Sequence, residues 1–176
     1  GEGKSTSVAD LAITFAQMGA KTLLVDKDLR RPVQHGIFGM AKEGGLTNVL
    51  LDKMTLDQAV KKTKIENLSL LTSGTLPPNP SELLSSKAME KFLKAAAKEY
   101  EMTLFDTPPV IAVTDAAVLA TKMDGVILVV QSGETGKEPA LWRRRSTSIW
   151  RALAVALTAS WSLALERIWR AFSRYW

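Results

Sequence analysis

The chain contains no cysteine and a single histidine, His35. Those two absences exclude a disulfide framework, a thiolate metal centre, a cysteine nucleophile and a multi-histidine metal site, and they leave a Ser-His-Asp triad barely possible. Tyrosine is scarce as well, with Tyr100 and Tyr175 the two examples. Tryptophan is missing from residues 1–140 and lysine from residues 141–176. The C-terminal stretch has no membrane-length apolar run, because its longest uncharged segment, 152–165, is shorter than the ~18 residues a span requires. What remains is ordinary for a soluble globular chain of 176 residues, with 46% apolar and 23% charged side chains and enough length for a real core.

The net charge of +5 is unevenly placed. Residues 1–140 carry 14 Lys and 2 Arg against 17 acids, whereas residues 141–176 carry 7 Arg and one acid, Glu166. All five tryptophans, at 142, 150, 161, 169 and 176, share that last stretch. Basicity therefore belongs to the tail, and the first 140 residues give no reason to expect a nucleic-acid partner. We divide the chain into a domain over 1–140 and an atypical Arg/Trp-rich helical tail over 141–176. The tail has three readings: a helix packed on the domain, an interfacial membrane helix, or an out-of-frame continuation foreign to the domain. The chain opens on Gly1 rather than Met, without a charged-then-apolar leader, and so reads as a fragment whose start lies upstream.

Periodicity predicts alternating helices and strands. Residues 5–19 place Val8, Leu11, Ala12 and Phe15 on one helical face, with Gly19 as the stop. Thr22–Asp26, Leu68–Leu71, Met102–Asp106 and Gly125–Val130 are apolar runs of strand length. Helices are expected near Leu46–Leu51, Leu56–Lys61, Ser81–Ser86, Lys87–Tyr100 and Ala116–Met123, with a proline-rich loop over 75–80. Strands alternating with helices indicate an α/β fold with a mostly parallel sheet flanked by helices.

Three segments carry chemistry. Gly1-Glu2-Gly3-Lys4-Ser5-Thr6 is the second half of a phosphate-binding loop of the form G-x-x-x-x-G-K-[ST], set immediately before a helix. Main-chain N–H groups there form an anion nest, the lysine reaches the β/γ-phosphates and Ser5 ligates Mg2+. Leu23–Pro32 delivers two carboxylates, Asp26 and Asp28, to the C-terminal end of a strand, where open α/β sheets bind ligands. Next to them, Arg30 and Arg31 pair with those acids or contact phosphate. Thr103–Pro109 ends a strand on Asp106, in the position of a Walker B acid. Taken singly, each has a plain alternative: a glycine turn capping a helix, a solvated turn acid, a strand-ending Asp. Their order along one chain makes them a P-loop NTPase-like set.

Asp26–Pro32 (DKDLRRP), Gly45–Leu50 (GLTNVL), Thr72–Ser86 (TSGTLPPNPSELLSS), Asp106–Ala116 (DTPPVIAVTDA) and Asp124–Val130 (DGVILVV) together closely resemble the bacterial tyrosine kinases of capsule and exopolysaccharide synthesis. The likeness extends over roughly residues 1–138, and PPNPSELL is its most discriminating piece. It implies an ATP-dependent protein-tyrosine autokinase with a P-loop, binding ATP and Mg2+. By that analogy Gly1, Glu2, Gly3, Lys4, Ser5 and Thr6 cradle the phosphates. Ser5, Asp28 and Asp106 serve the metal, Lys4 and Asp28 take part in catalysis, and Asp26 orients or deprotonates the acceptor hydroxyl. The expected partners are a transmembrane activator or polysaccharide co-polymerase, other copies of the intact protein, and tyrosine-bearing substrates at the inner face of the plasma membrane.

Several positions depart from the family pattern. The strand feeding the P-loop is missing, so the fold is expected to be incomplete at its N-terminal strand, with a gap between the Asp106 and Gly125–Val130 strands and a nucleotide cradle too incomplete for this chain to be active. Lys27 replaces a small residue between the aspartates, either pointing outward or bridging an acid. The tail lacks the family's tyrosine cluster. Two other functions compete: a partition- or septum-type P-loop ATPase switch, disfavoured by Thr72–Ser86, and a non-enzymatic membrane- or nucleic-acid-binding module built on the Arg/Trp tail.

Overall fold

A computed structural model describes residues 3–76, 82–83, 86–108, 119, 121–127 and 129 of the chain. Its central strand is β1 (Thr22–Asp26), every residue of which is buried. A parallel strand covered on both faces has no polar side to show, which is why TLLVD reads as one continuous apolar run up to its acid. On one side β1 pairs in parallel with β3 (Leu68–Leu71), on the other with β4 (Met102–Asp106). A two-residue strand, β2 (Lys61–Lys62), runs antiparallel along the outer edge of β3, giving the order β2-β3-β1-β4.

Helices cover both faces. α1 (Lys4–Gln17) sets Ala9, Ala12, Phe15 and Ala16 against Leu24, Leu68, Leu70, Met102 and Leu104. Its small residues let the helix lie close to the sheet. The opposite face is packed by α3 (Leu46–Leu50) and α5 (Lys87–Glu99), which bury Leu46, Leu50, Met89, Phe92 and Ala96 with Leu23, Val25, Leu71 and Tyr100. Phe92 stands edge-on to Phe105, centroids 6.3 Å apart. Two short helices, α2 (Gln34–Ile37) and α4 (Leu56–Ala59), complete the described elements. The mostly parallel, helix-flanked α/β sheet expected from periodicity is the observed one.

The end of β3 meets the start of α3 through main-chain hydrogen bonds. Leu46 N–H donates to the Thr72 carbonyl at 2.7 Å and Thr47 N–H to the Ser73 carbonyl at 3.1 Å. Such contact requires glycine: a Cβ on Gly45 would stand 2.1 Å from the Thr72 oxygen. Gly74 faces it with φ +77°, where a Cβ would come within 2.5 Å of Thr47 Oγ1. The segments GLTNVL and TSG are thus two sides of one seam.

Four expectations need correction or limits. The helix expected to reach Lys61 stops at Ala59, Val60 turns extended, and Lys61 pairs with Leu70. Lys61 Nζ donates to the carbonyls of Ala41 and Glu43 and to Thr72 Oγ1, which draws the lysine out of the helix and onto the sheet edge. The turn-rich segment after Asp28 contains the unexpected α2. Residues 125–127 and 129 carry no strand and do not join the edge of β4, so the Gly125–Val130 run has no ladder among the described residues. Of the helix expected over Ser81–Ser86, Glu82 and Leu83 are helical, residues 81, 84 and 85 lie outside the described residues, and Ser86 caps α5 by accepting from Met89 N–H. Most of Ala116–Met123, the prolines of 77–80 and the whole of 141–176 lie outside the described residues, as do all three readings of the tail. Among the described residues, no helix is long and apolar enough to cross a membrane.

Candidate active site

The parallel register sets Asp26 and Asp106 on the same rung, at the C-terminal ends of adjacent strands. Both are buried, with 0% and 2% of their surface exposed. The ladder continues one residue further through Lys27 N–H to the Asp106 carbonyl at 2.9 Å. α1 begins beside this pair: Gly3 adopts φ 77°, ψ 14°, a left-handed conformation suited to glycine, and helical residues start at Lys4. The Ser5 side chain hydrogen-bonds Asp106, and Lys4 lies close enough for its charge to favour the ionised acid. Thr6 is exposed on the first turn. Gly1 and Glu2 lie outside the described residues.

Burial dominates the electrostatics. It pushes the Asp26 carboxyl up to about 7, helped by the charges of Asp106 and Asp28 and opposed by hydrogen bonds from the main-chain N–H groups of Gln34 and Asp28. Burial also raises Asp106, against hydrogen bonds from Gln34 and Ser5. Two carboxylates thus sit buried side by side at the end of the sheet, each held above its ordinary acidity mainly by loss of solvent. Asp26 Oδ1 is buried with no partner in full hydrogen-bond geometry.

Asp28 is placed differently. It has left the strand, and its Oδ1 accepts the main-chain N–H groups of Arg30 at 3.0 Å and Arg31 at 2.9 Å, closing the turn. Its charge nevertheless acts on both Asp26 and Asp106. Arg30 and Arg31 are exposed. Lys27 does not point outward: its side chain is fully buried. The outward reading of Lys27 is therefore wrong, because the β1–β4 ladder extends through this residue and holds it inside the fold.

Sequence reasoning missed Gln34. This wholly buried residue opens α2; its N–H donates to Asp26 Oδ2 at 3.0 Å. Its Nε2 donates to the Ser5 carbonyl at 2.9 Å and to Asp106 Oδ2 at 2.8 Å. No spacing rule links position 34 to 5, 26 and 106. A polar residue between the apolar Val33 and Ile37 was the one available signal. Tyr100 belongs to the core, 6% exposed, with its hydroxyl pushed above the usual range by burial, so it is not an accessible phosphoryl acceptor in this fold.

The chain matches a family described as an AAA domain over residues 1–141. It is 51% identical over 140 residues to the tyrosine-protein kinase YwqD of Bacillus subtilis, covering 80% of this chain and 59% of that protein. The solved VpsO kinase domain superposes with a TM-score of 0.78 at 37% identity, over 90% of this chain and 79% of that one. The septum site-determining protein MinD of Pyrococcus horikoshii, solved with Mg-ADP, has a TM-score of 0.65 at 24% identity, over 88% and 63% of the two chains, and shares the fold alone. The chain thus spans about three-fifths of YwqD. With the paired strand-end acids beside the GKS turn and these relatives together, the chain belongs to the P-loop family of bacterial tyrosine kinases, a nucleotide-binding family.

Proposed function

We propose that the chain is the catalytic part of a protein-tyrosine autokinase that transfers the γ-phosphoryl group of ATP to tyrosine and regulates capsular or exopolysaccharide synthesis and export. The observation that supports this most is the buried Asp26–Asp106 rung set against the first turn of α1. Phosphoryl transfer asks for charge neutralisation and alignment more than for covalent assistance, so a chain with one histidine and no cysteine is sufficient for it.

In this reading the main chain of Gly1, Glu2, Gly3 and Thr6 cradles phosphate, and Lys4 offsets the charge on the β/γ-phosphates. Ser5, Asp28 and Asp106 would hold Mg2+, directly or through water, and the ion when bound neutralises developing phosphate charge. The residues fit it: two carboxylates are buried side by side at the strand ends next to the Ser5 side chain, and Asp26 Oδ1 is buried with no partner in hydrogen-bond geometry. Among the described residues no three His, Cys, Asp or Glu side chains form a protein-only cage, so phosphate oxygens and water complete the shell. Asp26 accepts the proton of the tyrosine hydroxyl, the phenolic oxygen bonds to the γ-phosphorus, and the bond to the β-phosphate oxygen breaks to leave ADP. A carboxyl raised to about 7 is matched to proton transfer near neutral pH.

Residues 1–140 would form the kinase domain and 141–176 a separate tail. The intact protein would self-associate and act on tyrosine-bearing proteins at the inner membrane face, beside a transmembrane activator. Incubating the full gene product with ATP and Mg2+ tests this: phosphotyrosine is expected. ATP hydrolysis without phosphotyrosine would replace the kinase with a partition- or septum-type switch.

A further inference from the structure

We propose that Gln34 is a positioning residue that fixes the two site carboxylates relative to each other and to the first turn of α1. The inference rests on the phosphoryl-transfer reading of the site and adds a residue to it.

Three chain segments converge on this one side chain and its own N–H. The main chain holds Asp26, at the end of β1, while the carboxamide holds Asp106, at the end of β4, and the Ser5 carbonyl in α1. The orientation of the amide follows from its neighbours. A carbonyl and a carboxylate both accept, so both N–H bonds of Nε2 are engaged and a flipped amide would set Oε1 against two acceptors.

The chemistry of the amide suits the task. A lysine or arginine at this point would neutralise Asp106 and compete with a cation, whereas a neutral amide orients the carboxylate and leaves its charge in place. The amide oxygen, Gln34 Oε1, and Asp26 Oδ1 are both buried with no hydrogen-bond partner. Two acceptors on the members of one cluster match the hydrogens of water around a hydrated divalent cation. Gln34 also lies eight residues beyond Asp26, at the head of α2, so a shift of the 27–33 turn would be transmitted to both acids. Because it bonds the carboxylates and not the reacting atoms, it acts through them.

The test uses the full gene product and two variants of similar side-chain size. Gln34→Met removes the amide and keeps the N–H bond to Asp26; Gln34→Glu replaces the donor with an acceptor facing Asp106. Mg2+ is titrated against a fluorescent ADP analogue, with thermal unfolding and steady-state kinetics measured alongside. Second-sphere partners of a metal site typically change its affinity by roughly 10–100-fold. We expect Mg2+ dependence to weaken at least about tenfold in both variants. Metal-free nucleotide binding should be retained, and kcat should fall while KM for ATP stays within about threefold. Wild-type Mg2+ dependence and kcat in either folded variant would overturn the role of Gln34, and so would failure of both variants to fold. If the wild-type protein itself shows no Mg2+-dependent nucleotide binding, the reading of the whole site fails instead.

Discussion

Two clusters of motif residues lie on this sheet and are held by opposite physics. The seam between β3 and α3 is neutral main chain against main chain, closed by hydrogen bonds at 2.7 and 3.1 Å and lacking room for a methyl group at Gly45. The acid rung at the ends of β1 and β4 is the reverse: buried carboxylates raised by burial, with polar atoms left without partners. One arrangement is built from uncharged groups and the other gathers buried charge. Burying two carboxylates side by side costs a fold stability, which the proposed cation site would offset. The sequence motifs therefore differ in kind here: GLTNVL and TSG are explained by packing, whereas DKD and LFD carry the proposed chemistry.

Breaking the seam should have the largest effect. Gly45→Ala places a Cβ 2.1 Å from the Thr72 carbonyl, a main-chain atom that cannot swing away. A loss of about 4 kcal/mol or more is expected, enough to unfold much of the population, measured by denaturant melts. The proposed nucleotide contacts lie elsewhere, so any protein that remains folded should still bind ADP.

At the acid rung the expectation has the opposite sign. The folded-state value of Asp26 is about 7 against an ordinary 3.8, so the metal-free folded chain binds this proton more tightly than the unfolded chain does. Its stability should therefore fall as pH rises from about 4 to about 7 and level off beyond. Asp26→Asn should reduce that slope, leaving the part owed to the raised Asp106, and stabilise the metal-free chain at pH 8 by up to about 4 kcal/mol while abolishing tyrosine phosphorylation. Unfolding measured at pH 5 and pH 8 checks it; equal slopes for both proteins would mean that Asp26 ionises freely.

A smaller effect belongs to Lys61. Its ammonium ties the carbonyls of Ala41 and Glu43 to Thr72 Oγ1, and burial lowers its pKa below the usual lysine range. Lys61→Met should cost about 1–2 kcal/mol in thermal melts, because carbonyls at a partly open edge can recruit water. An equal loss for Lys61→Met and Gly45→Ala would erase the distinction between a main-chain seam and its side-chain clasp.

Much of this was legible beforehand. TLLVD, LSLL and MTLFD announced buried strands because a strand covered on both faces must be apolar throughout, and α1 was readable from Val8, Leu11, Ala12 and Phe15. Asp26 and Asp106 were readable as neighbouring strand-end acids because each ends such a strand downstream of a GKS turn. Lys61 was misread because helical spacing from Leu56 continues through it, while the carbonyls that capture its ammonium lie about twenty residues earlier. Lys27 was left open between outward and inward placements because its sequence neighbours are charged. The missed α2 is four residues long, too short for periodicity to register.

By itself the sequence determined the class of fold, the strand-end acids and the family, since these depend on local apolar runs, turn chemistry and motif order. Tertiary structure alone decided that Asp26 and Asp106 share a rung, that Gly45 and Gly74 meet, and that Gln34 joins three segments. Those relations depend on strand register and on approaches between residues separated by tens of positions along the chain. A one-dimensional pattern records no such distance, and it is these distances that create the burial and the unmet hydrogen bonds at the site.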